Sequence, residues 1–537
     1  MKTWRWVLCA ALVVPAAVAD EGHHGHELTA EQLGTVSFPT SCSPAVAKQM
    51  ERGVALLHSF WYGEAERTFA AAAKQDGKCA MAHWGVAMSL WHPLWDPPEK
   101  EDLKRGLASL ERAEKLGTAT AREQEYIAAL KAFYSGWEKK DFHTRALAYE
   151  QAMAEVHQRH PEDREAAIFY ALSLLATAEP KDKTYANQQK AGRILNELLP
   201  QMPNHPGVAH YLIHSFDHPG IAEQGLEAAR RYAAIAPSSA HARHMPSHIF
   251  TRLGLWQESE ASNRSAIEAA DAAMARGQSG LSDKLHAMDY AAYASLQCGE
   301  EQEAARLTKE AEVIAKQQKE WSGRRGAYGY ALTGARYVLE RRQWKEAAAM
   351  WVPERASAEA QALVYWTRTV GAARSGDVEQ ARKELENLRA AVREIEGDRS
   401  WYGWHPGDLE VETARAWVAQ AEGKPADAEQ RLRAAADRED EGELGALDYP
   451  PILPAREMLA DLLMEQQRPE HALAEYEATL KDSPDRFNVL YGAARAAELA
   501  GRSEAAAKYY AQLIKVGGGE QATRPEVARA KAAVRGD

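Results

Sequence analysis

Histidine carries most of the chemistry open to this chain. Nineteen histidines occur in 537 residues, and seven of them, His205, His210, His214, His218, His241, His244 and His248, fall between positions 205 and 248. Their spacing says more than their number. His210 and His244 are 34 residues apart, as are His214 and His248, so two pairs recur in the same phase. Each pair is also separated by four residues, which puts both rings on one face of a helix, one turn apart. Neutral imidazoles joined by one or two carboxylates suit zinc, copper, nickel or iron, and a pair four residues apart holds such an ion from a single helix.

The spacing therefore predicts a divalent transition-metal centre, with zinc or copper foremost. His210, His214, His244 and His248 form its expected first set of ligands. Asp217, His241, His286 and Asp289 stand as replacement ligands or as groups that orient the first four. Such an ion would polarise a substrate or activate water, and a spare histidine or Asp289 would move the proton. The same residues also fit a buried histidine hydrogen-bond network, or a ligand-binding groove without metal. The sequence holds no Gly-rich phosphate loop, nucleophile elbow or His-Glu-x-x-His signature, so no catalytic residue is assigned.

The elements that must position these rings are helices. Hydrophobic residues make up 45% of the chain and charged residues 26%. They are arranged as Ala-rich segments with apolar positions at i, i+3, i+4 and i+7, broken by Gly, Pro and Asp, with hardly any strand-like alternation. The reading is all-α. A unit of about 34 residues repeats, a small residue in its first helix preceding an Ala, an aromatic and an Ala in its second. Gly53, Ala65, Phe69 and Ala72 fit it, as do Gly376 with Ala381, Gly423 with Ala428, and Gly501 with Ala506 and Tyr510. Ala472 and Tyr476 lie on a further second helix that Pro484 closes.

These residues resemble the tetratricopeptide repeat. The resemblance implies a right-handed α-solenoid of about 11–12 helix pairs over residues 44–516, each pair burying its face against its neighbours. Taking Gly254 and Gly299 as turns between helices, it also implies that three successive first helices face one concave groove. His210, His214 and Asp217 would lie on one, His241, His244 and His248 on the next, and His286 and Asp289 on a third. The second functional class it implies is a protein-interaction scaffold whose groove holds a peptide or partner helix, without metal.

The remaining features bound location and partners. Lys2 and Arg5, an apolar run from Val7 to Val14 and Ala16-Ala17-Val18-Ala19 read as a signal peptide over residues 1–19, cleaved near Ala19. That predicts a periplasmic or secreted protein. No later window is long and apolar enough to insert in a membrane. A net charge of −12, with no long basic run, argues against a nucleic-acid partner. In an oxidising compartment Cys42 and Cys79 are expected to pair, leaving Cys298 as a buried apolar residue. Residues 20–43 form an N-terminal arm whose His23, His24 and His26 are either a weak chelator or a solvated tail. Residues 517–537 form a tail or capping helix. Trp61, Tyr62, His83, Trp84, Trp91, His92 and Trp95 read as core, with a peptide-recognising patch as the alternative. Trp401, Tyr402, Trp404 and His405 are expected to plug a gap between units, and 438–451 to form a loop or hinge. Arg243 and Arg252 are either solvated or aimed at an anionic substrate.

Overall fold

The computed structural model describes residues 28–94, 97–318, 324–353, 355–396, 407–441, 450–518 and 523–535. The proposed signal peptide, the three N-terminal histidines, Trp95, the cluster from Trp401 to His405, and most of the acidic loop before Pro450 lie outside these residues. Among the described residues every regular element is a helix. Successive antiparallel hairpins run from Ala47–His58 with Tyr62–Gln75 to Phe487–Leu499 with Ser503–Gly517, and Pro525–Arg535 follows. Counting the broken pair Ala240–His244 and Pro246–Arg252 as one first helix, there are twelve hairpins.

The repeat pattern has a direct packing cause. A Cβ added to Gly53 would lie 2.6 Å from the Phe69 ring, and one added to Gly85 only 2.3 Å from it. Phe69 is thus wedged between the first helices of two adjacent units, which touch at their small residues. Tyr476 fills the same gap beside Gly492, where an added Cβ would come within 2.4 Å. Eight of the twelve hairpins among the described residues close with one recurrent turn. In it a residue in the left-handed region gives its N–H to a carbonyl three residues back, and the next N–H bonds five back, as at Gly254 with Leu255 and Gly299 with Glu300. Gly376, Gly423 and Gly501 occupy that position too. In the first hairpin it is held by Phe60, at φ 52°. A side chain there costs roughly 1–2 kcal/mol that glycine avoids.

Contacts distant in sequence draw the array together. Residues 28–38 lie back over the middle of the chain: Thr35 N–H donates to the Asn204 carbonyl at 2.9 Å, and Ser238 N–H to that of Gln32 at 3.1 Å. Phe38 stacks on Trp84 with ring centroids 5.3 Å apart, and Trp84 and Trp91 are fully buried core residues. Cys42 and Cys79 are disulfide-bonded across 37 residues, while Cys298 is a buried thiol that burial pushes up to about 12. Further along, Trp256 Nε1 donates to the Asp485 carbonyl at 2.9 Å and Phe487 N–H to Gln297 Oε1 at 2.7 Å. No helix among the described residues is long and apolar enough to cross a membrane.

Candidate metal centre

Three successive first helices deliver the histidines. Pro206–Phe216 starts with Pro in its first turn and is capped by the His205 side chain, which accepts from Val208 N–H. The next begins under the hydroxyl of Ser239, which accepts from Ala242 N–H, and breaks after His244 because Pro246 has no N–H to continue the ladder. The third, Leu281–Gln297, carries His286 and Asp289. The end of Ala47–His58 packs against the first of these three from a distant part of the chain, and Phe60 follows it.

The rings gather as two triads rather than one four-ligand set. His210, His214 and His241 each direct one nitrogen to a common point, and so do His244, His248 and His286, the three atoms of each set lying within 4.8 Å of one another. In the first triad His210 Nε2 is 3.1 Å from His214 Nε2 and 3.0 Å from His241 Nε2. In the second His244 Nε2 is 2.9 Å from His248 Nε2. Tetrahedral bonds of about 2.0–2.1 Å from two imidazoles to one ion put the nitrogens about 3.3–3.4 Å apart, so an ion would open these contacts by a few tenths of an ångström. The triads adjoin, with the His241 and His244 ring centroids 6.3 Å apart.

The far nitrogens decide how these contacts are read. His248 Nδ1 lies 2.7 Å from Asp217 Oδ2, so it must carry the proton. His244 Nδ1 lies 2.6 Å from Asn263 Oδ1, and Asn263 Nδ2 donates to the Ser259 carbonyl at 2.8 Å, which fixes the amide orientation. His244 Nδ1 therefore donates as well. With both Nδ1 protons so placed, the 2.9 Å contact calls for one positive charge between the two Nε2 atoms, supplied either by a proton on His248, which Asp217 would balance, or by a metal ion. His210 repeats the theme, its Nδ1 donating to the His58 carbonyl at 2.6 Å while its single Nε2 lone pair faces two other imidazole nitrogens.

A shared proton would have to place its charge among buried groups. Burial pushes His210 down to about 3, and burial with the neighbouring His210 and His248 holds His214 well below its ordinary value. Aromatic rings form the walls. Phe60 lies 4.3 Å from His210, Tyr232 stacks on His210 at 5.0 Å, and Tyr290 lies 4.9 Å from both His244 and His248. His248 and His286 are the least buried of the six.

Two other candidate groups need no cation. Cys42, Asp76 and Cys79 converge because the cysteines are bonded to each other. In the group of His58, Glu165 and His205, each ring donates Nε2–H to one oxygen of Glu165, at 2.9 and 2.8 Å. Tyr211 O–H donates to His58 Nδ1 at 3.0 Å, and Val208 N–H to His205 Nδ1 at 3.4 Å. Every lone pair there meets a donor. Burial alone would raise the Glu165 carboxyl, but His205 and His58 outweigh it and hold it well below the usual carboxylate range.

Neither carboxylate is among the converging atoms, and Asp217 takes the orienting role. Asp217 bridges His248 Nδ1 and Arg252 Nε, the latter at 2.9 Å, and so orients a ring. Although burial opposes it, Arg252 and His248 keep Asp217 ionised well below its ordinary range. Asp289 accepts from Arg336 Nε at 2.8 Å, both side chains fully buried, and joins neither triad. Arg252 Nε is thereby committed to Asp217 and Arg243 Nε to the Pro237 carbonyl at 2.6 Å, and both side chains are half-buried. His58, Glu165, His205 and Asn263 were not legible as site residues, because no local spacing links them.

No family model matches the chain, and no curated protein does. The fold among the described residues is an all-α array of helical hairpins. Similar solved structures include a tetratricopeptide repeat protein from Parabacteroides merdae, at 12% identity over 56% of this chain and 98% of that one, TM-score 0.29. Another is the human IFIT1 dimer with m7Gppp-AAAA, at 14% identity over 85% and 90%, TM-score 0.35. A third is Naa15/Naa10 bound to HypK-THB, at 14% identity over 91% and 72%, TM-score 0.23.

Proposed function

We propose that this chain is an exported metalloprotein in which a tetratricopeptide-like array holds a transition metal on buried histidines. The observation that carries the reading is the pair His244 and His248. Asn263 and Asp217 take the Nδ1 protons, leaving two Nε2 lone pairs face to face at 2.9 Å. A proton on His248 or a metal ion reconciles that geometry, and the convergence of three imidazole nitrogens in each of two sets favours the metal. All-imidazole donors favour zinc or copper over magnesium or calcium. Export is supported by the signal-like N-terminus and by the Cys42–Cys79 bridge, since disulfides persist in oxidising compartments. The outer faces of such an array remain suited to protein partners, while the histidine face is filled by the chain's own side chains.

The test is elemental analysis of protein purified without an affinity tag, beside a His210→Ala, His244→Ala double variant whose helicity is checked by circular dichroism. Stoichiometric metal in the wild type and its loss from the folded variant is the expected result. Folded wild-type protein that takes up neither zinc nor copper, as purified or after dialysis against either ion, overturns the reading. N-terminal sequencing of protein recovered from the periplasm or medium tests export.

A further inference from the structure

Resting on that metal-binding reading, the arrangement of the two triads carries a more specific chemistry. Each consists of three imidazoles, with no thiolate and no carboxylate among the converging atoms. Three protein donors leave a tetrahedral or trigonal ion an open position. The triads are neighbours along one helix run: His241 serves the first and His244, one turn on, the second, their ring centroids 6.3 Å apart. A dinuclear centre needs its two sites adjacent, and these two share the helix Ala240–His244.

Charge selects the ion. Two divalent cations at this separation repel each other about four times as strongly as two monovalent ones, since the energy goes as the product of charges. The surroundings offer little compensation. Asp217, on the outer nitrogen of His248, is already shared with Arg252. Phe60, Tyr232 and Tyr290 make the walls apolar. Of the ions that imidazole holds well, copper alone offers a stable monovalent state, and it also heads the divalent affinity order.

A pair of cuprous ions held by these largely buried imidazoles has a definite reaction available. On oxidation the centre gains two positive charges, and the ligand that offsets them must bring two negative ones into the gap. Dioxygen does so. Each copper gives one electron, the O–O bond falls from double to single, and copper–oxygen bonds form to the resulting peroxide. No proton and no leaving group is involved, and release of dioxygen returns both electrons. The approach lies beside His248 and His286, the two less buried rings, where a diatomic molecule needs little room.

The fold shows a matching expense at Phe60. Five other hairpins place glycine at the left-handed turn position and two place Arg342 and Gln467 there, at φ 54° and 58°; the first hairpin has phenylalanine, at φ 52°. Its ring lies against all three imidazoles of the first triad, with centroids at 4.3 Å from His210, 5.7 Å from His214 and 5.6 Å from His241. Strain of this kind persists where a side chain is wanted for its position. Here it roofs the ion with an apolar ring.

We propose that His210, His214 and His241 hold one copper ion, that His244, His248 and His286 hold a second, and that the two act as one dinuclear centre whose ligand is dioxygen. The experiment loads the full chain anaerobically with cuprous ion, counts copper, admits dioxygen, and records its uptake, the absorption spectrum and electron paramagnetic resonance. Two copper ions per chain, uptake of about one dioxygen, an intense near-ultraviolet charge-transfer band and a nearly silent resonance spectrum are expected, because the bridged cupric spins pair. His286→Ala should keep one copper and take up no dioxygen, its copper staying cuprous and silent in the resonance spectrum until a chemical oxidant such as ferricyanide is added, when one spin should appear. Two coppers whose spectrum integrates to two independent spins overturn the proposal, as does a single copper per chain. A chain that retains zinc and no copper overturns it too, and leaves the metal-binding reading standing. A chain that binds neither metal fails both.

Discussion

His210 Nδ1 donates to the backbone carbonyl of His58 at 2.6 Å, joining residues 152 positions apart. That bond sets the direction of His210 Nε2, on which His214 and His241 converge. It uses the free carbonyl at a helix C-terminus, one of the orphan acceptors every helix end leaves. The His58 side chain is itself clamped by Glu165 and Tyr211, so the first hairpin is held in register with the fifth by a polar network rather than by apolar contact alone.

The groups behind the second triad should tune it without defining it. Asp217→Asn removes the ion pair with Arg252 and weakens the acceptor on His248. Asn263→Leu leaves the His244 Nδ1–H without its partner. Each is expected to lower metal affinity about 10–100-fold with the number of bound ions unchanged. A competition titration against a chromophoric chelator measures this, and unchanged affinity in both variants removes the orienting role.

Glu165 answers to stability instead. Glu165→Leu strands two buried imidazole N–H donors, and the expected loss is about 3–5 kcal/mol in urea unfolding of the metal-free protein. Glu165→Gln, which keeps one acceptor, should lose less. Copper or zinc per folded chain should stay at the wild-type value, because His58 contributes its backbone carbonyl and not its ring to His210. A fall in metal content with stability intact would instead make Glu165 part of the centre.

What the sequence made legible is what repeats. His210 with His214 and His244 with His248 stand in phase over 34 residues, and the Gly254 and Gly299 turns fix their register, so the convergence of three first helices follows from counting. The partition into two triads does not. It depends on His241 and His286 entering as full members, and on the break at Pro246, where the helix loses a hydrogen bond for reasons visible locally but with a direction set by packing. The partners of Asp289 and Asp217 were equally hidden. Arg336 lies 47 positions beyond Asp289 and Arg252 35 beyond Asp217, and an ion pair at such range leaves no period.

Breaking the Cys42–Cys79 bridge should act at a distance from the metal. The bond closes a span of 37 residues and ties residues just before the first hairpin to the start of the second. Chain-entropy reasoning puts its contribution at about 3–4 kcal/mol. A Cys42→Ser, Cys79→Ser variant should lose that much in denaturant unfolding and retain the metal stoichiometry of the wild type. Loss of metal at full stability would contradict the separation drawn here.

Stability should fall with acid over a window that His218 helps define. His218 is buried and pushed down to about 4, first by burial and then by Arg252 and Lys183, with Asp217 opposing. Its ordinary value in the unfolded chain is about 6.5. The unfolded state therefore binds the proton first, and stability drops as pH falls from about 6.5 to about 4, flattening below that. The single-site contribution reaches about 3 kcal/mol. Subtracting His218→Gln from wild type, both metal-free and measured by urea unfolding at each pH, should reveal this slope. A flat difference would show that His218 is not held neutral.

Phe60 offers the sharpest separation of fold from function. Phe60→Gly relieves a left-handed residue, worth roughly 1–2 kcal/mol, and gives up a largely buried ring worth about 1.5–3 kcal/mol. The two nearly cancel, so net stability should change by no more than about 1–2 kcal/mol. The first triad, however, loses the ring that covers His210, His214 and His241. Water and chelator then reach the ion, and the rate at which ethylenediaminetetraacetate strips the first-triad metal should rise by an order of magnitude or more. The second triad, walled by Tyr290, should exchange at its former rate. Equal acceleration at both would mean that Phe60 supports the fold as a whole, and unchanged exchange at both would mean that its strained turn serves packing alone.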